Sequence, residues 1–500
     1  MNSLRLCLAA FLLAPAAAAA QPAASATMSE AAAGAEMFFN RFEREAHVPG
    51  LVWGIVADGR LVYLSAHGIQ DTASRRPVTG DTLFRIASMT KAFTALSILR
   101  LRDEGRLSLD ALAETYVPEM RSWRYPTADS PRIRVRDLLN HSAGFVTDDP
   151  WGDRQQPLPE AEFTAMLARG VPFQRAPQTA HEYSNFGYAL LGRIVQNVSG
   201  RLYRQFVEET LLRPLGMGAS GYEVGESPAE RRAIGYRWEN EAWREEPTMA
   251  HGAFGAMGGL QVSANDYARW IAFLLSAWPP HDGPETGPAR RATVREMAQG
   301  SNFPWLAPRP GASGASCTQA LAYGMGLRVA RDCTLGLTFA HGGGYPGYGS
   351  YVLLLPEYGV GFFALTNRTY SGPSGPVWDA AIALHRAGVL RPRALPASEA
   401  LVRAYRAAGA VYRAGEVAAA GDLLAMNFRM DRSAESWRAE LRRLRGEAGD
   451  CDTSAAIEPT GALGGTFRWR CERGRISGSL LLAPTEPAAI QALRLSIDAP

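Results

Sequence analysis

Two runs of strand-like sequence stand at opposite ends of a long helical stretch, and this arrangement limits the chain to few architectures. Residues 51–57 and 61–66 are apolar segments separated by Asp58-Gly59, a strong hairpin signal. Strand character then lapses until residues 323–330, 335–340, 349–355 and 361–367. Between these ends the pattern is mostly helical from 109 to about 278, clearest over 160–168, 184–197, 202–212 and 264–275. Strands at both ends, each set flanked by helices, predict one antiparallel sheet assembled from the two ends, with the helical middle as an inserted lobe. The expected class is α/β (α+β), and a cleft between its lobes is the natural place for an active site.

Shorter segments complete the plan. Residues 35–46 have helical spacing (Phe38, Phe39, Phe42) and stop before Pro49-Gly50. An extended approach over 82–87 leads into a helix from about 88 to 103, stopped at Gly105. Residues 279–314, rich in Pro and Gly, read as surface excursions around a short helix at 289–298, and a helix over 375–387 closes the unit. A linker at 389–396 then precedes a small α+β domain of unassigned role over 397–500. Its helices are expected at 399–413, 418–426 and 434–444, and its strands at 464–472, 474–482 and 490–497.

Residues 1–20 read as a secretory signal peptide: Arg5, an apolar run, then Ala18-Ala19-Ala20 before Gln21. The expected location is therefore periplasmic or secreted, with no stable membrane insertion, and residues 21–34 form a flexible leader before a domain over 35–388. Without Cys7, four cysteines remain, an even number that suits disulfides in an exported chain. Of three possible connectivities, the spacing favours the local pairs Cys317–Cys333 and Cys451–Cys471. A net charge of +3 over 52 basic and 49 acidic residues supplies no basic stripe for nucleic acid. No dinucleotide, P-loop, EF-hand or metal-ligand pattern is present, so no cofactor and no metal are expected.

Of the 52 Lys and Arg residues, Lys91 is the sole lysine. Arginine can replace lysine on most surfaces but not where an amine must lose a proton. Ser88-Met89-Thr90-Lys91 places a hydroxyl and this amine three apart at a helix start, on one face. A lysine of lowered pKa can remove the serine proton, and a helix N-terminus favours negative charge on the serine oxygen. The alternative is that Ser88 caps the helix while Lys91 solvates its surface.

Two further patterns follow in order, Tyr183-Ser184-Asn185 and His341-Gly342-Gly343-Gly344. Together, Ser88-x-x-Lys91, Tyr183-x-Asn185 and His341-x-Gly343 resemble the three ordered motifs of the penicillin-recognising serine hydrolases, over roughly residues 36–388. That family includes class C β-lactamases, D-Ala-D-Ala carboxypeptidases, esterases and D-amino-acid amidohydrolases. Phe84-Arg85-Ile86-Ala87, Leu138-Leu139-Asn140-His141-Ser142-Ala143-Gly144 and Gly258-Gly259-Leu260-Gln261-Val262-Ser263 also resemble its flanking phrases.

The resemblance implies a β-lactamase/transpeptidase-like fold, a small-molecule or short-peptide substrate, and acylation of Ser88. Lys91 would share the serine proton, with Tyr183 as companion base; otherwise Tyr183 is an aromatic packed at a domain seam. Asn185 would orient Lys91 or a substrate amide, or cap a helix. The oxyanion hole would be the backbone N–H groups of Ser88 and Gly344. Gly342 and Gly343 would let substrate approach closely, or form a tight turn.

His341 departs from the lysine of the best-known members, and Gly342 from their Ser or Thr. An unshifted histidine is half charged near pH 6.5. Both changes point to an ester or amide substrate that does not depend on a tightly held carboxylate; a D-Ala-D-Ala carboxypeptidase or β-lactamase, and a catalytically silent binding or sensing protein, are the competing readings. Tyr345, Tyr348 and Tyr351 line the cleft or cover the sheet edge. His141 reads as structural, His47, His67 and His251 lack metal partners, and Asp148-Asp149 reads as a solvated loop.

Overall fold

The computed structural model describes residues 27–498, so the expected signal peptide and most of the leader lie outside the described residues. The leader does not run flexibly to residue 34. The first helix spans Met28–Glu45, and its start is fixed by a capping box in which the Thr27 side chain accepts from the Glu30 N–H and Glu30 accepts from the Thr27 N–H. Phe39 on this helix stacks on Trp53 with ring centres 4.1 Å apart.

The chain separates into two compact units, one ending at Ala277 and resuming over Asp282–Arg391, the other made of Trp278–His281 and the chain from Pro392. In the first, an antiparallel sheet has the spatial order Arg76–Pro77, Arg60–Asp71, Gly50–Ala57, Val360–Thr366, Tyr348–Leu355, Gly336–Tyr345, Arg328–Asp332, Thr318–Tyr323 and Trp305–Pro308. The two chain ends meet where Gly50–Ala57 pairs with Val360–Thr366, with Leu51 opposite Thr366 and Trp53 opposite Ala364. Every residue of both strands is buried, which is why they read as continuous apolar runs. One sheet face packs on Met28–Glu45 and Ser374–Arg386 through Phe39, Trp53, Val377, Trp378 and Ile382. Helix Lys91–Asp103 is buried nearly all round, with Phe93 stacked on Trp270 of helix Ala264–Leu275 at 3.8 Å.

Several expected boundaries shift. The single strand expected at 323–330 is a hairpin, Thr318–Tyr323 paired with Arg328–Asp332. Its turn holds Gly326 at φ +77°, where a Cβ would stand 2.7 Å from the Lys91 carbonyl oxygen, so the turn lies against the start of the lysine's helix. The expected excursion at 279–314 contributes Trp305–Pro308, whose backbone pairs with Thr318–Tyr323. The helical middle contains a hairpin, Tyr236–Glu239 with Ala242–Glu245. The helix expected at 202–212 changes from an α-helix over Tyr203–Val207 to a π-turn over Glu208–Leu212. Cys317 and Cys333 are disulfide-bonded; closing so short a loop removes about 3 kcal/mol of unfolded-chain freedom on the chain-entropy model.

The second unit has its own core of Tyr412, Trp437, Leu441, Trp469 and Ile476, formed by helices Glu399–Ala414 and Ala434–Ala448 and a five-stranded antiparallel sheet. Cys451 and Cys471, directly opposite in paired strands, form its disulfide.

Candidate active site

The nucleophile motif sits on a 3-10 turn, Ala87–Thr90, that runs directly into helix Lys91–Asp103. Ala87 holds φ +48°, a costly conformation for a residue with a Cβ, immediately before Ser88. The turn is gripped from two sides. Leu83–Arg85 pairs with Gln261–Ser263, which sets two of the flanking phrases side by side. Ser350 Oγ donates to the Ile86 carbonyl at 2.8 Å.

Lys91 is wholly buried. Its Nζ donates to Ser88 Oγ at 3.0 Å, Asn185 Oδ1 at 2.7 Å and the Met257 carbonyl at 2.9 Å. These three acceptors satisfy an ammonium completely. Burial nevertheless lowers its pKa to about 8, against the opposing pull of Asp149, Asp153 and Asp148. The surface-lysine alternative is thereby excluded, and Ser88 makes no cap bond for this helix.

Tyr183-x-Asn185 enters from the helical lobe, at the start of helix Asn185–Ser199. The cap of that helix is Ser184, whose Oγ accepts from the Gly187 N–H at 3.1 Å, so the capping role considered for Asn185 falls to its neighbour. Asn185 is buried, and its Nδ2 donates to Asp149 and, at 3.4 Å, to Asp153. With its carbonyl on Lys91 and its amide on carboxylates, Asn185 has no free donor aimed at a substrate amide.

Tyr183 stands over Lys91, with Nζ 5.0 Å from its ring centre. Burial, then Tyr323 and Asp149, push its phenol well above the ordinary range, opposed by a hydrogen bond with Ser88. That shift favours the neutral phenol over a phenolate.

The acidic loop differs most from expectation. Asp148 is buried, not solvated: its two carboxylate oxygens accept the Asn185 N–H at 2.6 Å and the Phe186 N–H at 2.8 Å, opposite the positive end of that helix. Burial also raises Asp153 to about 7, with Asp149 as the next cause. A pair of aspartates before a proline carries no sequence sign of burial. Asp149 beside Asp148 stays exposed, as expected, and the partners that bury Asp148 lie in a helix start far along the chain.

The third motif ends the strand Gly336–Tyr345. Two of its glycines are required by close approach: a Cβ on Gly343 would stand 2.3 Å from the Ile86 carbonyl oxygen, and one on Gly344 would stand 2.9 Å from the Tyr370 ring. The strand edge therefore runs against the turn that carries Ser88. Gly342 faces Tyr351, whose hydroxyl accepts from Trp378 Nε1 at 2.9 Å on the opposite face of the sheet.

His341 is 2 % exposed and engaged on both nitrogens, with Nδ1 at 2.7 Å from the Gly342 carbonyl and Nε2 at 2.9 Å from the Tyr323 hydroxyl. The carbonyl can only accept, so the proton sits on Nδ1. Burial, then the charges of Arg328 and Lys91, press its pKa down to about 3. Half-charge near pH 6.5 is thus corrected to neutrality throughout the working range.

Tyr345 and Tyr348 do not line an open cleft. Tyr345 is buried under Arg85, whose guanidinium lies 4.9 Å from its ring centre, and the Tyr348 hydroxyl donates to the Ala233 carbonyl. The exposed aromatic beside the glycines is Tyr370, which the sequence reading missed. His141 is buried against Tyr183 with ring centres 4.4 Å apart, and its Nδ1 accepts the Ser184 N–H at 3.2 Å. Among the described residues no cluster of His, Cys, Asp or Glu is arranged to hold a metal.

A family model described as Beta-lactamase matches residues 30–387. Protein flp of Staphylococcus aureus (strain MRSA252) is 27% identical over 332 residues, covering 65% of this chain and 60% of that protein. Esterase EstB of Burkholderia gladioli is 31% identical over 217 residues, 41% of this chain and 54% of that protein. The chain thus spans a little over half the length of these curated relatives. Among solved structures, the octameric penicillin-binding protein homologue from Pyrococcus abyssi superposes with a TM-score of 0.57 at 23% identity, covering 91% of each chain. A class C beta-lactamase gives 0.56 at 20% identity, covering 71% of this chain and 96% of that one. With the matched region reaching across well over half the sequence and carrying all three motifs, the chain belongs to the beta-lactamase family of penicillin-recognising serine hydrolases.

Proposed function

We propose that this protein is an exported serine hydrolase that cleaves an ester or peptide-like amide through an acyl-enzyme on Ser88. The observation that carries this reading is the buried Lys91 amine 3.0 Å from Ser88 Oγ. In its neutral form Lys91 takes the Ser88 proton as Oγ attacks the substrate carbonyl. The backbone N–H groups of Ser88 and Gly344 stabilise the oxygen that becomes negative. Tyr183, a neutral phenol, passes a proton to the leaving group and is reprotonated from Lys91. Water then attacks the acyl carbonyl, gives its proton to Lys91, and Ser88 recovers its own. No described helix is long and apolar enough to cross a membrane.

The pH profile tests the assignment of the base. kcat/KM rises with pH because the reactive form of Lys91 is the neutral amine, and the midpoint of the rise is expected near 8. Neither a step near 6.5 from His341 nor a fall from Tyr183 ionisation is expected between pH 6 and 9, because burial moves both groups out of that window. A rate that peaks near pH 6.5 would return His341 to the chemistry.

The neutral His341 favours substrates without a bound carboxylate, whereas Gly342 faces Tyr351 across the sheet and has no part in that preference. One observation supports the carboxypeptidase-like or β-lactamase alternative. Arg328 is exposed, has no acidic partner among the described residues, and exerts its charge on Tyr183 and His341. Measuring kcat/KM for a peptide-like substrate as its free acid and as its methyl ester, in wild type and Arg328→Ala, separates the two. The ester reading expects equal changes for both substrates. A selective loss on the acid of about tenfold or more, the scale of a charged hydrogen bond, would establish the alternative.

A further inference from the structure

Asp153 is the point where three parts of the site meet. It lies on the short helix Trp151–Arg154, which presses on the start of helix Asn185–Ser199 because Gly152 has no side chain: a Cβ there would stand 2.8 Å from Asn185 Cβ and 3.0 Å from Asp148 Oδ2. Asp153 is 2 % exposed. Its Oδ1 accepts from Asn185 Nδ2 at 3.4 Å, and its Oδ2 accepts the Tyr370 hydroxyl at 3.0 Å. Asn185 in turn holds Lys91, and the Tyr370 ring lies against Gly344.

We propose that Asp153 is a positioning residue that ties the acid–base half of the site, through Asn185 and Lys91, to the oxyanion half, through Tyr370 and Gly344. The inference rests on the proposed roles of Lys91 and Gly344. Ionised carboxylate oxygens only accept, so Asp149, and Asp153 above its pKa of about 7, turn the Asn185 amide nitrogen toward them and its carbonyl toward Lys91. Asp149 shares that task. The link to Tyr370 belongs to Asp153, and it fixes a ring that is otherwise 42 % exposed, with its own backbone at φ +52°, against the glycine strand. One carboxylate thus holds the proton acceptor and the wall beside the oxyanion donor in a single register. Asp153 also stands in the field of Lys91: its negative charge helps to keep the amine protonated, together with Asp148 and Asp149. The other groups facing it are the hydroxyls of Tyr370 and Tyr345, with Arg154 acting on both of these phenols.

The test is a cycle of Asp153→Asn, Tyr370→Phe and the double variant, assayed on a p-nitrophenyl ester from pH 6 to 9. Asp153→Asn is expected to lower kcat about tenfold, the scale of a small displacement of reacting groups, with KM changed far less. The rise of kcat/KM with pH should move down by about 0.5–1 pH unit, because Lys91 loses a countercharge. Tyr370→Phe removes a hydrogen bond that favours the Asp153 carboxylate, so its shift has the same sign and is smaller. The double variant should be no slower than Asp153→Asn, since the two side chains act through one bond.

Additive losses, or an unmoved pH profile in both single variants, would overturn the proposal. Should Asp153→Asn fail to fold, Tyr370→Phe decides alone, because it removes one oxygen from an exposed ring. Ser88→Ala in the same assay keeps the outcomes distinct: activity surviving there removes the parent reading, whereas a dead Ser88→Ala beside an unaltered Asp153→Asn removes only this inference.

Discussion

Ser88→Ala is expected to lower kcat on an activated ester by about 10⁴–10⁶-fold, the range seen when a covalent nucleophile is deleted from a preorganised site. Fold stability should change little. Ser88 is buried, but the lost oxygen takes with it one of three acceptors of the Lys91 ammonium, and the Asn185 and Met257 contacts remain. The loss of a partially shared hydrogen bond costs about 1 kcal/mol. Circular dichroism and a melting curve would show a folded protein, so inactivity would report chemistry. Near-normal turnover by this variant would remove the proposed site as a whole.

Lys91→Arg should be nearly as damaging, with kcat down about 10²–10⁴-fold, the usual contribution of a positioned base. Arginine keeps the positive charge that Asp148, Asp149 and Asp153 surround, so a merely electrostatic role would survive the change. It cannot lose a proton at any working pH. The larger guanidinium also has to enter a fully buried position between Ser88, Asn185 and Met257, where overpacking costs about 1–3 kcal/mol. Stability and rate are separable: the melting temperature falls modestly, while the rise in activity with pH disappears because no group titrates near 8. A fully active Lys91→Arg enzyme would remove lysine from the mechanism.

Much of this arrangement is legible in the residues. Asp58-Gly59 marks the hairpin, and the fully buried strands that join the chain ends show as unbroken apolar runs. The unique lysine points to its own helix start because arginine cannot replace a proton acceptor. Other features depend on contacts that local sequence does not encode. Asp148 reads as solvent-facing because its partners, the N–H groups of Asn185 and Phe186, belong to a helix beyond the next turn-rich segment. Tyr345 looks like a cleft residue from its place beside the glycines, yet it is buried under Arg85. Tyr370, reached only after two further strands, takes the exposed place against Gly344. For His341, sequence identifies the imidazole but not its burial, and burial decides its charge. The hairpin turn at Gly324–Gly326 likewise follows from the close approach to Lys91, which only the folded chain displays.

The acyl-enzyme itself provides the most direct test. A p-nitrophenyl butyrate reaction is quenched in acid during steady turnover, and the protein is weighed intact and then mapped by peptide. The account predicts one butyryl group per chain, on the peptide carrying Ser88, absent from Ser88→Ala. It also predicts that a fluorophosphonate modifies the same serine and blocks turnover in proportion. A butyryl group on another residue, or sustained hydrolysis in a chain whose Ser88 is fully occupied by the phosphonate, would contradict it.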